Sequence, residues 1–172
     1  SDGVVELQTR YNYSDYEYNI GDWTNVVAID TYEDTIVCVQ SDGTAKIFTD
    51  KTSIKDAVEG WMNLADVKVR GDCVVALKKD GTVVSDGLTE SIEEELAKLK
   101  NISKIEFSNG VIACLTKSGK VIVVGDSNKF DVSKWKNIKD ISLGSCLVGL
   151  KTDGTVVQTG GVGISKIDKW EN

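Results

Sequence analysis

The chain contains no histidine and no proline in its 172 residues. Without histidine there is no Ser-His-Asp or Cys-His nucleophile system and no His-containing zinc site. Without proline, every break in regular structure falls to Gly, Asn, Asp and Ser. Cations are the minority charge, 20 Lys and Arg against 27 Asp and Glu, giving a net charge of −7. That balance argues against a nucleic-acid partner, whose phosphates demand clustered Lys and Arg. There is no run of about 18 apolar residues, so no membrane insertion is expected. The four cysteines are even in number, but none forms the local C-x₂-C pair of a thiolate metal site. They read as buried free thiols on strand positions that accept small residues. No metal and no cofactor is expected.

What is present is a repeat. Asp-Gly or Ser-Gly pairs end at Gly3, Gly43, Gly81, Gly119 and Gly154. A second series, "WTN", "WMN", "LKN", "WKN" and "WEN", starts at Trp23, Trp61, Leu99, Trp135 and Trp170. The two series march in step with a period of about 37 residues. The units are bounded at 1–22 (partial), 23–60, 61–98, 99–134, 135–169 and 170–172 (the start of the next), all within one repeat domain.

Each unit spells the same elements. A β-branched, apolar run such as "CVVALKK" precedes the turn glycine, and a second run such as "TVVS" follows it. Asp-Gly between such runs marks a hairpin, with Gly81 and Gly154 supplying positive φ. A third strand follows each W-x-N, placing Ile29, Val67, Ile105 and Ile141 in equivalent positions. The connection after the hairpin varies in length. "TESIEEELAKLK" reads as a short helix with a capping-box spacing at Ser91 and Glu94, and Ile92, Leu96 and Leu99 on one face. The other connections place Ile20, Val58, Val132 and Ile167 three residues before the W position, the spacing of a helical turn.

These phrases resemble the repeats of the regulator of chromosome condensation family, especially its short bacterial members. The resemblance rests on "VVALKKDGTVVSDG", "LVGLKTDGTVVQTG" and "WKNIKDIS", and runs the length of the chain. It implies an all-β fold: a β-propeller-like array of antiparallel blades, four complete repeats with partial terminal copies, open or incomplete. It implies a protein partner and slightly favours an extracellular or cell-surface setting. The Gly-Trp-Arg-His-Thr motif of the family's plant photoreceptor is missing, so light sensing does not carry over. An acidic chain fits the nuclear member's chromatin role poorly. Three readings of the incomplete count stay open: a segment of a larger bacterial protein, imperfect closure, or completion by another chain. Open terminal blade edges invite self-association.

Most conspicuous residues have a structural reading. Trp23, Trp61, Trp135 and Trp170 hold one repeat position that Leu99 also fills, so apolar bulk is what the position needs. Gly43, Gly81, Gly119 and Gly154 mark the turns. The recurring asparagine of W-x-N is expected to bond its side chain to backbone in a turn. No residue set is left over for catalysis, so an interaction scaffold is expected rather than an enzyme. Residues 11–19, "YNYSDYEYN", depart from the template. Tyr11, Tyr13, Tyr16 and Tyr18 lie there in the longest variable connection, as candidate binding residues for a protein or, alternatively, a carbohydrate. A small-GTPase exchange factor is the remaining alternative, by family analogy alone.

Overall fold

The computed structural model describes residue 20 and residues 23–161. Twelve strands form four three-stranded antiparallel sheets, each in the order of the chain. The first holds β1 (Val26–Tyr32), β2 (Thr35–Gln40) and β3 (Ala45–Phe48); the second β4 (Leu64–Arg70), β5 (Cys73–Lys78) and β6 (Val83–Asp86). The third holds β7 (Ile102–Ser108), β8 (Val111–Thr116) and β9 (Val121–Gly125); the fourth β10 (Ile138–Leu143), β11 (Cys146–Lys151) and β12 (Val156–Gly160). Two helices, α1 (Thr52–Gly60) and α2 (Glu90–Ala97), connect the first three sheets.

The middle strands explain why the repeat reads as continuous apolar runs rather than alternation. β5 and β8 each lie between two neighbouring sheets and are covered on both faces. Val37 and Val39 pack with Val74 and Ala76 of the next sheet, while Ile36 and Cys38 turn the other way toward Ile20 and Trp23. Val75 and Leu77 then meet Ile112 and Cys114, and Ala113 and Leu115 meet Leu147. The core is thus a series of interfaces between blades.

The sheets fan out. Leading strands of successive sheets touch (β1 with β4, β4 with β7, β7 with β10), whereas the trailing strands of the first three sheets are separated by helices. α1 lies against β3 and β5, and α2 against β6 and β9. Ile54 and Val58 of α1, and Leu96 of α2, are the wedge side chains, each at most 1% exposed. Before each described W position a backbone turn closes with the same bond: Trp23 N–H to Ile20, Trp61 to Val58, Leu99 to Leu96, Trp135 to Val132.

Several local expectations need correction. The Ser91–Glu94 capping box does not form; α2 starts at Thr89 without a side-chain cap, and Glu93 accepts the Leu88 N–H instead. The first connection is a full helix of nine residues rather than a single turn. The hairpin turns are three-residue loops in which only the glycine takes positive φ, 80–90°. Asp42, Asp80 and Asp153 hold these loops by accepting both the N–H and the hydroxyl of the threonine two residues on. Those bonds hold all three carboxyls below the usual range.

The asparagines act through backbone rather than side chain. Asn25, Asn63, Asn101 and Asn137 all sit at φ 57–60°, the left-handed region asparagine tolerates. In that conformation the Asn63 carbonyl accepts the Lys79 N–H of its own hairpin, and the next N–H, Leu64, reaches the Gly43 carbonyl of the preceding blade. The bond pair recurs at Asn101 with Gly81 and at Asn137 with Gly119. A Cβ on Gly43 would stand 3.0 Å from the Asn63 Cα, so the turn glycine is needed for approach as well as for φ. Finally, Cys38 and Cys114 are buried but Cys73 and Cys146 are only half-buried. All four are free.

Candidate interaction surface

Because every blade runs in the same sense, one rim of the array collects the W-x-N stretches, the starts of the leading strands and the Asp-Gly turns. The other rim collects the turns between leading and middle strands. The turn rim carries the exposed carboxylates Asp42, Asp80 and Asp153, but its lysines gather on two blades. On the turn rim, the third and fourth blades present Lys100, Lys117, Lys120, Lys136 and Lys139, all exposed. None of the five makes an ion pair with another described residue. On the opposite rim stand Glu33, Asp34, Asp50, Asp72 and Asp126, also exposed, with Lys51 paired to Asp72 and Lys129 to Asp126. The acidic net charge therefore conceals a basic end.

A shallow cleft of about 470 Å³ opens between the third and fourth blades on the basic rim. Ser103, Thr116, Lys117, Ser118, Asn137 and Lys139 line it. This turn is the one whose aspartate is replaced, by Ser118. The loop is held instead by Thr116, whose Oγ1 accepts the Lys120 N–H at 2.9 Å and lies 3.0 Å from Ser118 Oγ. The exchange keeps the turn and removes an anion beside the lysines. Cations close to hydroxyls and a left-handed Asn backbone make a surface suited to carboxylate groups.

At the inner edge, charged side chains stitch the leading strands together. Asp30 accepts the Val69 N–H at 2.9 Å and the Arg70 guanidinium at 2.7 Å, and the Arg70 guanidinium lies 5.9 Å from the Tyr32 ring. Lys104 reaches Asp140 of the next blade at 2.7 Å and Glu106 of its own strand at 3.3 Å. Burial works against the Lys104 ammonium, but the two carboxylates outweigh it and raise its pKa. The Lys104 bond in turn holds the Asp140 carboxyl below its ordinary value. The Asp30–Arg70 and Lys104–Asp140 pairs join neighbouring blades.

Trp23 is buried at 4% exposure, and Trp61, Leu99 and Trp135 are half-buried beside the blade interfaces. Gly149 gives Trp135 its room, since a Cβ there would lie 2.6 Å from the indole. Gly43, Gly81, Gly119 and Gly154 all stand at the turns of the basic rim. Tyr11, Tyr13, Tyr16, Tyr18 and Trp170 lie outside the described residues. The rim lysines escaped the linear reading because they are scattered along the chain. Counted by repeat position they converge, at the middle of W-x-N (Lys100, Lys136), after it (Lys139) and at the turn (Lys117, Lys120).

No family model and no curated protein matches the chain. Solved structures do. The complex of Kap60 with yeast RCC1 (Prp20) matches with a TM-score of 0.60 at 14% identity, over 80% of this chain and 46% of that one. The Saccharomyces cerevisiae Prp20p structure, described with its binding to Gsp1p and histones, matches at 0.59 and 14%, over 80% and 47%. The fold is that of RCC1-like propeller blades. The computationally designed Ika8 protein is also similar, at 0.50 and 17% identity over 83% of this chain and 47% of that one. The chain spans less than half the length of each of these three. Among the described residues the blades form an array of four.

Proposed function

We propose that the chain is a non-catalytic propeller scaffold whose basic rim, across the third and fourth blades, binds an acidic segment of a partner protein. The observation that carries this reading is the set of five exposed lysines on that rim, none ion-paired with a described residue and two of them, Lys117 and Lys139, lining the interblade cleft, on a chain of net charge −7. Repeat folds present such surfaces on the loops of one rim, while the strands beneath hold them rigid. The cleft falls in the size range of pockets that hold a few side chains, roughly 300–1,000 Å³. Complementary charge speeds encounter and selects partners more than it adds affinity, so salt-sensitive binding is expected. The reading as a short bacterial relative rests on the hairpin phrases alone.

The test is titration of a labelled Asp/Glu-rich peptide, beside a Lys-rich peptide and a single-stranded oligonucleotide of matched charge. Binding of the acidic peptide should weaken as salt rises and fall at least tenfold in Lys117→Glu/Lys139→Glu. Glu33→Lys/Asp34→Lys, on the other rim, should leave it unchanged. No binding of the acidic peptide, or oligonucleotide binding as tight, would overturn the proposal.

A further inference from the structure

Four hairpin turns hold equivalent places on the basic rim, and three of them are internally satisfied. In each of those three an aspartate faces the threonine two residues on: Asp42 and Thr44, Asp80 and Thr82, Asp153 and Thr155. One carboxylate oxygen, Oδ1, accepts the threonine N–H at 2.9 Å and its hydroxyl at 2.6–2.7 Å. The turn therefore favours an anion at that point. All three carboxyls are exposed, and these bonds hold each of them below its ordinary range.

The third turn exchanges both partners at once. Ser118 stands where the others carry aspartate, and Lys120 where they carry threonine. A further exchange preserves the loop. Two residues before the aspartate position the other turns have Gln40, Lys78 and Lys151, whereas this one has Thr116. Thr116 Oγ1 accepts the Lys120 N–H at 2.9 Å, and Gly119 keeps φ 80° against 87–90° in the other three. The shape survives and the polarity changes. A carboxylate bonded to a hydroxyl has become a hydroxyl followed by an ammonium.

The hydroxyl is placed to donate outward. Thr116 Oγ1 and Ser118 Oγ lie 3.0 Å apart, and hydroxyl protons rotate to suit their partners. When Thr116 donates to Ser118, the Ser118 proton ends a polarised chain that begins at the Lys120 N–H. Ser118 is exposed and lines the interblade cleft with Lys117 and Lys139. Ser103, also in that lining, donates its hydroxyl to the Leu115 carbonyl at 3.1 Å.

Granted the basic rim as a docking surface, on which this inference rests, we propose that one side-chain carboxylate of the partner is anchored at this turn. It accepts the Ser118 hydroxyl and pairs with the Lys117 and Lys139 ammoniums. The partner thus supplies from outside the anion that the other three turns carry within. Lysines alone attract an acidic segment wherever it lies along the rim. A short, directional bond to Ser118 fixes which acidic residue sits in the cleft.

The probe is the labelled Asp/Glu-rich peptide, amidated at its C-terminus so that every carboxylate is a side chain. Ser118→Ala leaves the charge unchanged and should weaken binding at least fivefold. That deficit should persist as salt rises, because a direct hydrogen bond is screened far less than the field of exposed lysines. Ser118→Thr keeps the hydroxyl and should bind as the wild type does. Ser118→Asp/Lys120→Thr writes the second blade's turn, residues 79–82, into the third. It should unfold in urea no earlier than the wild type and bind at least thirtyfold more weakly. Wild-type affinity in Ser118→Ala, with binding still lost in Lys117→Glu/Lys139→Glu, would remove the anchor and leave the basic rim standing. A peptide that does not bind the wild-type chain would remove both.

Discussion

At the scale of single residues, the joint between blades depends on two backbone conformations that face each other. Asn101 at φ 59° and Gly81 at φ 87° bring two stretches of the chain close enough for the Ile102 N–H to reach the Gly81 carbonyl at 2.9 Å. Gly81→Ala must strain φ and also place a Cβ 3.2 Å from the Asn101 Cα, so a loss of about 2 kcal/mol is expected. Asn101→Ala should cost about 1 kcal/mol for the left-handed backbone alone, and Asn101→Gly should be close to neutral. Urea unfolding of the three variants gives that order, and a costly Asn101→Gly would assign the role to the side chain instead. The sequence showed the asparagine position but not its reason. Side-chain bonding in turns and tolerance of positive φ belong to the same residue type, and only the dihedral separates them. Cysteine offers a second check. Burial drives the Cys114 thiol up to about 12 and raises Cys38 too, while Cys73 and Cys146 are half-buried. With a maleimide at pH 8, two thiols should label in the native chain, and Cys38 and Cys114 only on unfolding.

At the scale of elements, helices and ion pairs fill what the strands leave open. The apolar spacing of Ile92, Leu96 and Leu99 was legible because a helix displays its buried face at fixed intervals. The cap was not, because "TESIEEE" offers overlapping cap and acid spacings and the choice is made by how the chain leaves β6. Leu96 is fully buried in the wedge, so Leu96→Ala should lose about 2–5 kcal/mol in thermal or urea unfolding. The Lys104–Asp140 stitch is a smaller effect, since the Asp140 side chain is 53% exposed and solvent screens the pair. Asp140 has its pKa lowered in the folded state. Its contribution is therefore present above the ordinary carboxylate range and disappears as pH falls through the lowered native value. Asp140→Asn should cost roughly 0.2–1 kcal/mol at pH 7, and the gap from wild type should close as the solution is acidified. A gap that widened in acid would exclude this pairing as its cause.

At the scale of the whole molecule, the repeat period was enough to foresee stacked antiparallel sheets, because each hairpin carries a turn signal and a two-sided apolar strand; that these are propeller blades came from the family resemblance. It was not enough to foresee the gathering of lysines on one rim, which depends on where each chain position lands once the blades are stacked. A stacked array also distributes stability unevenly, with end units lacking one neighbour. The middle strands β5 and β8 are covered on both faces, whereas β12 is half-buried along its whole length. Hydrogen exchange should therefore be fastest in β12 and β1 and slowest in β5 and β8.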